Sequence, residues 1–387
     1  MASLPKSFFA TAAMTLAVLA HGAAAFDLPI TEQEALRNAH QGSLLHLPEI
    51  PAVATVRTVL PGPRLLFSDM PEYIGDRNGV TMEQELTPGR YRLYIYHVPG
   101  TTSSERTVSA VIENLSSQSL EVRFDHYAFP EPGTDYPMIG LDALMDFFTG
   151  KTLPPPLTVP PQGRSVLDPR LEATTASDPQ LVHALYEFEI NGPARISVLQ
   201  RNPDQSSTNV LGTLPRLPRQ LPGQRLSGAG RGIFPDADLL ITNAPSEVID
   251  TANGMQRLVL ADGFRDPWVT GSDALASDMA VTNKGSYGVV YHVRLAYVST
   301  DGRALAILVG GPGRGGAGRP MTVLRVSDGK WKGGWLKIAG ARQRGAVSVA
   351  QEWPAAPRGQ TNYLELIYSP PGGSSLPTPI YLAPFNP

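Results

Sequence analysis

Glycine and proline set the tightest limit on what this chain can fold into. The sequence of 387 residues contains 37 glycines and 37 prolines. Glycine loses more backbone entropy than other residues when it enters a helix, and proline removes a helical hydrogen bond and collides with the preceding turn. Helices are therefore predicted to be few and short, at residues 31–40, 141–148 and 178–185. The rest of the chain is predicted to form strands and turns.

Apolar and polar residues alternate along most of the remaining sequence. In one run, Tyr91, Leu93 and Ile95 would face one side of a strand and the intervening residues the other. Residues 107–112 and 120–125 alternate in the same way around a polar turn, which predicts an antiparallel hairpin with one buried face. A second series of short β-rich runs lies at residues 257–261, 289–297, 305–309, 322–326, 347–349, 363–368 and 380–382. Strands at this spacing, without helices between them, predict an all-β fold of two β-sandwich-like domains.

A stretch rich in proline and arginine separates the two series of strands. Prolines recur at positions 215, 218 and 222 with no apolar periodicity between them, as is typical of a semi-extended connector. The predicted organisation is accordingly a signal peptide, a leader with a short helix, a first sandwich-like domain, a linker and a second sandwich-like domain. The boundaries are 1–25, 26–58, 59–200, 201–230 and 231–387.

The first 25 residues have the three parts of an export signal. Lys6 supplies a positive charge, residues 8–20 form an uncharged apolar run, and Ala23 to Ala25 supply the small residues that signal peptidase requires. The apolar run is shorter than the roughly 20 residues that span a bilayer, and no later stretch approaches that length. We therefore expect a protein exported to the periplasm or the medium, with no membrane span in the mature chain.

Composition excludes some modes of stabilisation and some partners. The chain has no cysteine, so disulfides are excluded and the fold must rest on packed cores. Its 32 basic and 35 acidic residues create no net field that would collect nucleic acid. Hydrophobic residues make up 42% of the chain, which is enough for real cores.

Two histidines and their neighbours form the first candidate site. His97 and His126 lie at the ends of two candidate strands, and Asp125 and Tyr136 are close in sequence to the second histidine. A His–Asp pair can bind a metal or act as a general base. Since no third ligand stands at a recognisable spacing, two hydrogen-bonded structural histidines are the favoured alternative.

Loop carboxylates and tryptophans form the second candidate site. Asp262, Asp266 and Asp273 punctuate one loop region, and their oxygens would suit Ca²⁺, the one cofactor that this sequence suggests. Their spacing is not that of an EF-hand, and aspartate also favours turns for its own backbone hydrogen bonds. Trp268, in the same loop, is a candidate platform for a sugar ring, although burial in a core is the favoured interpretation.

Catalytic motifs are weak or missing. Residues 313–318 match G-x-G-x-x-G, but the following residues are strand-like, so the helix that a dinucleotide site requires is not predicted. No G-x-S-x-G elbow occurs. A glycosidase needs only two carboxylates at a suitable separation, which a sequence does not reveal.

Several stretches resemble a family of uncharacterised exported bacterial proteins with two β-rich domains. Its members often carry the name of the copper amine oxidase N-terminal, stalk-like module, because some of them are fused to one. The matching stretches are residues 64–74, 91–100, 111–124, 231–241, 257–273 and 283–295. The resemblance implies two β-rich domains outside the cytoplasm and no established activity. The stalk-like module itself is not recognisable here, so the oxidase label does not transfer.

The leading functional hypothesis is a non-catalytic exported protein that binds an envelope or extracellular polymer, such as an exopolysaccharide, or a partner protein. The alternative is a secreted hydrolase that acts on polysaccharide or ester bonds. The alternative requires two carboxylates, or a serine and a histidine, to converge in one cleft.

Overall fold

A computed structural model describes residues 30–41, 43–46, 50–150, 152–244, 246–276, 279–310, 321–339, 346–374, 376–377 and 380–387. The predicted signal peptide and the glycine-rich stretch at 313–318 lie outside the described residues. No helix within the described ranges has the length and apolar character needed to cross a membrane.

Strands dominate the described chain, as the sequence predicts, and the all-β fold class is confirmed. The strands of the first half are β1 (Leu44–His46), β2 (Thr55–Val59), β3 (Arg64–Ser68), β4 (Tyr73–Gly75), β5 (Gly79–Leu86), β6 (Gly89–Pro99), β7 (Thr107–Asn114), β8 (Leu120–Ala128), β9 (Leu157–Val159), β10 (Arg164–Val166), β11 (Val182–Ile190) and β12 (Ala194–Arg201). Those of the second half are β13 (Arg231–Phe234), β14 (Asp238–Asn243), β15 (Ile249–Asp250), β16 (Gln256–Leu258), β17 (Thr270–Asp273), β18 (Met279–Thr282), β19 (Val290–Val298), β20 (Ala304–Gly310), β21 (Met321–Val326), β22 (Gly334–Ala339), β23 (Ala346–Trp353), β24 (Asn362–Ser369) and β25 (Ile380–Phe385).

Helices are short, in keeping with the proline and glycine content. The α-helices are α1 (Ile30–Arg37), α2 (Tyr136–Thr149), α3 (Pro169–Ala173) and α4 (Ser207–Val210). Helix α2 is longer than predicted, and the Asp135 carboxylate caps it by accepting the Met138 N–H. The helix predicted at 178–185 is wrong: residues 182–190 belong to β11, whose apolar side chains are buried on both faces of a sheet.

Within the described residues the strands form four sheets. Sheet I has the order β18-β17-β13-β3-β6-β11-β8-β9, with β4 beside β6, and sheet II has the order β10-β7-β12-β5. Sheet III has the order β2-β14-β19-β24-β21-β22, with β15 beside β19, and sheet IV has the order β1-β23-β20-β25-β16. Sheet I packs one face on sheet II, while its other face contacts α2 and the core that sheets III and IV share.

Strand β6 shows how the alternation in the sequence builds these layers. Tyr91, Leu93 and Ile95 belong to the core between sheets I and II, whereas Tyr94 and Tyr96 belong to the core on the opposite face. All five side chains are buried, so the two faces of β6 serve two different cores.

The hairpin predicted from residues 107–112 and 120–125 is wrong. Strand β7 pairs with β10 and β12 in sheet II, whereas β8 pairs with β9 and β11 in sheet I. The connection between them crosses from one sheet to the other, and the Asn114 amide holds it by donating to the Gln118 and Val159 carbonyls. The buried faces of both strands nevertheless meet in one core.

The segment predicted as a linker lies between strands that share a sheet. Strand β3, before it, pairs with β13, after it, through the register Arg231 to Ser68. Within the segment, Leu217 and Leu221 are buried in the core of sheets I and II. The leader also contributes strands, since β1 pairs with β23 and β2 pairs with β14. Independent folding of the two predicted domains stays a prediction.

Candidate functional site

The predicted histidine site does not assemble. His97 is fully buried, where its Nε2 lies 2.8 Å from Ser68 Oγ and its Nδ1 lies 2.9 Å from the Pro71 carbonyl. His126 is on β8, and its Nδ1 lies 3.0 Å from the Phe147 carbonyl of α2. Asp125 forms ion pairs with Arg90 and Arg123 instead of with a histidine. Each ring therefore holds a structural hydrogen bond.

The predicted calcium ligands have internal partners. Asp262 Oδ1 accepts the N–H groups of Phe264, Arg265 and Asp266, as in an aspartate-initiated turn. Within the described part of the chain, no group of three or more His, Cys, Asp or Glu side chains is placed to hold a metal ion.

The two other carboxylates of that prediction are paired with arginines. Asp266 pairs with Arg57 at 3.1 Å, and the buried Asp273 pairs with Arg231 at 2.8 Å. The remaining candidate, Trp268, donates its indole N–H to the Ala261 carbonyl and packs on Gly263, so it is partly buried. These side chains stabilise the loop that carries them.

A polar cleft of about 260 Å³ lies beside strand β6. Its other walls come from the segments that follow β3, precede β13, follow β18 and follow β24. We call it the tyrosine cleft; its lining is Asp69, Glu72, Tyr94, Tyr96, Gly228, Ala229, Lys284, Tyr287 and Gly373. These residues come from both predicted domains and from the end of the predicted linker. Tyr136, one of the sequence candidates, is not part of this lining but lies against Tyr96, with the two rings nearly perpendicular and their centroids 6.5 Å apart.

The chain that follows β3 forms one wall of the cleft. The apolar strand ends at Ser68, and Asp69 then places Oδ2 at 2.6 Å from the Ala229 N–H. The other carboxylate oxygen, Oδ1, is buried without a hydrogen-bond partner among the described residues. Glu72 accepts the Gly228 N–H.

Glycine is required at position 228 because of this close approach. A Cβ atom there would lie 1.7 Å from the Asp69 carbonyl oxygen, and the φ angle is +92°. Both facts exclude side chains. The two carboxyl groups thus rest on the backbone of one glycine-containing loop.

Tyrosines form the opposite wall. Tyr94 and Tyr96 stack with centroids 6.2 Å apart, and Tyr287 lies 6.5 Å from Tyr94. The Tyr287 hydroxyl donates to the Ser374 carbonyl at 3.2 Å. The hydroxyls of Tyr94 and Tyr96 find no hydrogen-bond partner among the described residues and lie beside Gly372 and Gly373.

Burial dominates the electrostatics of the cleft. It raises the pKa of Asp69 well above its usual range, and the neighbouring Glu72 carboxylate raises it further. Burial also raises the pKa of Glu72 and those of all three tyrosines. Neither carboxyl group forms an ion pair with another described residue, and Lys284 lies on the exposed rim. Burial therefore favours the uncharged forms of the groups inside the cleft.

Such a cleft combines hydrogen-bonding groups with flat aromatic walls. A protonated carboxyl group donates and accepts, a phenol hydroxyl does both, and Lys284 donates. The sequence patterns did not single out Asp69, Glu72 or Tyr94 as site residues. The feature of the sequence that could have indicated this site is that two acidic residues, Asp69 and Glu72, follow directly after an apolar strand.

The fold and the cleft define an all-β protein with a small polar, aromatic-lined site. No family model and no curated protein matches the chain. Similar solved structures include the CUB1-EGF-CUB2 domain of human MASP-1/3, with a TM-score of 0.19, 8% identity, and coverage of 78% of this chain and 99% of that chain.

Oxalate decarboxylases are also among the similar solved structures. The enzyme from Bacillus subtilis at pH 4.6 has a TM-score of 0.12 and 10% identity, with 85% of this chain and 78% of that chain covered. The formate complex from Lactobacillus farciminis has a TM-score of 0.14 and 10% identity, with 85% and 88% covered. Similarities at this level carry no inference about fold or function.

Proposed function

We propose that this protein is an exported, non-catalytic binding protein, and that the tyrosine cleft holds one saccharide unit of an extracellular or envelope polymer. The observation that carries the proposal is that two tyrosine hydroxyls with no hydrogen-bond partner among the described residues line the same cleft as two carboxyl groups with no ion-pair partner among those residues. Saccharides offer many hydroxyls, which donate and accept hydrogen bonds, and they offer C–H faces that pack on aromatic rings.

The size of the cleft favours a sugar ring over a protein partner. Its volume is about 260 Å³, close to the lower end of small-molecule pockets. A stable protein interface would instead bury roughly 800 Å² on each partner. Lys284 on the rim adds a cation, which suits a polymer with acidic units.

Hydrolysis is the second candidate, because two carboxyl groups with raised pKa values lie in one cleft. Glu72 is partly exposed and would be the general acid. A glycosidase needs a second carboxylate that reaches the substrate, as nucleophile or as base. Asp69 contributes to the lining, but its unpaired Oδ1 is buried, so the geometry supports binding better than cleavage.

The test begins with the purified protein on a panel of bacterial exopolysaccharides and oligosaccharides, followed by calorimetry on the glycans that bind. Glu72→Ala and Lys284→Ala should each weaken binding about tenfold, since each removes a hydrogen-bonding side chain from the cleft. Glu247→Ala is the matched control, because Glu247 is exposed and outside the cleft.

A cleft-filling variant gives an independent readout. A Cβ at position 372 would lie 2.6 Å from the Tyr94 hydroxyl, so Gly372→Ala should abolish binding. No glycan retained by the wild-type protein, or equal affinity for wild type and Gly372→Ala, would count against the proposal. New reducing ends from a bound glycan, lost in Glu72→Gln, would establish the hydrolase instead.

A further inference from the structure

The tyrosine cleft contains two carboxyl groups, and its described lining places no cation in contact with them. Asp69 and Glu72 both contribute to the lining, in which Lys284 is the one basic residue among those described. Lys284 is exposed on the rim and forms no ion pair with another described residue. When either carboxyl group ionises, its negative charge therefore has no partner within the described part of the cleft.

Asp69 carries an acceptor oxygen that nothing in the described chain satisfies. The residue is 5% exposed, and its Oδ2 accepts the Ala229 N–H at 2.6 Å. Its Oδ1 is buried without a hydrogen-bond partner among the described residues. Buried polar atoms are almost always satisfied in folded proteins, so this carboxyl group indicates a place for a donor in the cleft that it lines.

The tyrosine wall adds acceptor oxygens and no opposing charge. The hydroxyls of Tyr94 and Tyr96 have no partner among the described residues, and each has lone pairs that can accept from an ammonium group. His183 packs against both rings, with its centroid 4.7 Å from that of Tyr94 and 5.3 Å from that of Tyr96. Burial lowers the pKa of His183 to about 4, so this ring is uncharged near neutral pH and does not repel a cation.

The field of the carboxyl groups reaches across the cleft. Burial is the main cause of the raised pKa of Tyr287, and the charges of Asp69 and Glu72 raise it further. The pKa of Tyr96 is raised by the same causes in the same order. A field that disfavours a phenolate favours a positive charge at the same place. A cation bound there would also lower the pKa of the Glu72 carboxyl group, so that it ionises as its partner binds.

We infer that the saccharide unit in the tyrosine cleft is an amino sugar, whose protonated amine lies between the Glu72 carboxylate and the tyrosine hydroxyls. This inference rests on the proposed function, because it names the class of saccharide that the cleft holds. An ammonium group donates up to three hydrogen bonds and supplies the missing positive charge, which a sugar hydroxyl does not. Lys284, on the rim, acts on the neighbouring units of the polymer.

Pairs of tetrasaccharides that differ only in the groups at C2 test the inference by calorimetry near neutral pH. The probes are β-1,4- and β-1,6-linked glucosamine tetramers, each beside the glucose tetramer of the same linkage. The wild-type protein should bind a glucosamine tetramer about tenfold more tightly than its glucose counterpart, because a hydrogen bond to a charged group is about twice as strong as a neutral one. Equal affinities within both pairs, or tighter binding of the glucose tetramers, would overturn the inference.

An isosteric variant tests the role of the Glu72 charge. Glu72→Gln keeps the shape of the side chain and an oxygen that can accept the Gly228 N–H, but it removes the carboxylate. The preference for the glucosamine tetramer should fall to about threefold or less, since only the Asp69 carboxyl group remains. Glu247→Gln is the matched control and should keep the preference, because Glu247 is exposed and outside the cleft. An undiminished preference in Glu72→Gln would overturn the assignment of the amine to this carboxyl group.

Two further results separate failure of this inference from failure of the proposed function. In the first, an amine-free glycan binds the wild-type protein but not Gly372→Ala, and neither glucosamine tetramer binds. That result would overturn the amino sugar and leave saccharide binding in place. In the second, no glycan binds, which would overturn both.

Discussion

Two buried aspartates of sheet I have opposite surroundings: Asp273 is the last residue of β17, and Asp69 directly follows β3. Asp273 is 1% exposed and pairs with Arg231, and it also accepts the Leu275 N–H. Asp69 is 5% exposed and accepts only the Ala229 N–H, with its second oxygen unpaired. Arg231 is in register with Ser68, the residue before Asp69, yet its guanidinium pairs with Asp273.

This comparison separates structural carboxylates from candidate functional ones. A buried charge costs several kcal/mol unless a partner compensates it, so Asp273 and Arg231 stabilise each other's burial. For Asp69, burial raises the pKa, which favours the protonated form and so reduces that cost. A buried carboxyl group without a cation, beside a cleft, is a better indicator of a binding site than a paired one.

The largest expected effect comes from breaking the ion pair. Arg231→Gln should destabilise the protein by about 3–5 kcal/mol, because it leaves the Asp273 carboxylate buried without a charge partner. It also removes donors to the Thr81 and Leu217 carbonyls. Urea unfolding at neutral pH measures the loss.

Asp69→Asn serves as the matched control for that variant. It preserves shape and removes no ion pair, so its free energy of unfolding should stay within about 1 kcal/mol of wild type or rise. An equal loss of stability in Arg231→Gln and Asp69→Asn would contradict the distinction between the two aspartates.

The next largest expected change in stability comes from His97. It lies beneath the wall of the tyrosine cleft that the segment after β3 forms, with its Nδ1 against the Pro71 carbonyl. Burial lowers its pKa to about 4 from an ordinary value of 6.5. The unfolded chain therefore binds a proton as pH falls below 6.5, whereas the folded protein does not until about pH 4. Stability should fall over this window by about 3 kcal/mol for this histidine, given about 1.4 kcal/mol per pKa unit.

Urea unfolding of wild type and His97→Gln between pH 7 and pH 4 tests this effect. The variant should show a shallower loss on acidification, whatever its stability at pH 7. His183 remains in both proteins, and its pKa is also lowered to about 4 by burial, so some acid sensitivity persists. Parallel curves for the two proteins would show that His97 does not titrate in this way.

Titration of Asp69 should change the stability in the opposite direction, with a loss as the pH rises. Its pKa in the folded protein is raised above the ordinary value of 3.8, so the unfolded chain loses a proton first as pH rises. Wild type should then lose about 1.4 kcal/mol, relative to Asp69→Asn, for each pH unit between pH 4 and the raised pKa. Stability curves that stay parallel from pH 4 to pH 7 would contradict the raised pKa.

The sequence predicted some of these features and missed others for identifiable reasons. Alternation in residues 91–96 predicted both faces of β6, because side-chain direction depends only on local geometry. It did not predict the partners of β7 and β8, since a buried face can pair within a sheet or pack across two sheets. Partner choice depends on the crossing between sheets, which one alternating pattern does not encode.

The candidate site was harder to predict than the fold. Asp273 looked like a calcium ligand because its partner, Arg231, lies 42 residues earlier in the chain. The tyrosine cleft was missed because its lining residues are far apart in the sequence and only folding brings them together. They are at positions 69, 72, 94, 96, 228, 229, 284, 287 and 373. Composition and spacing describe neighbours in sequence, and this cleft has few of them.

The smallest expected loss of stability is at Asp262, a predicted calcium ligand that is only partly buried, unlike Asp69 and Asp273. Its Oδ1 accepts three backbone N–H groups, so Asp262→Ala should cost about 1 kcal/mol, similar to loss of a helix N-cap. Asp262→Asn keeps the acceptor and should cost less than half of that.

Because the carboxylates of this loop already have internal partners, added Ca²⁺ or chelator should leave the melting temperature unchanged. A rise in melting temperature with Ca²⁺ in wild type, lost in Asp262→Ala, would instead show that the loop exchanges its internal hydrogen bonds for a metal ion.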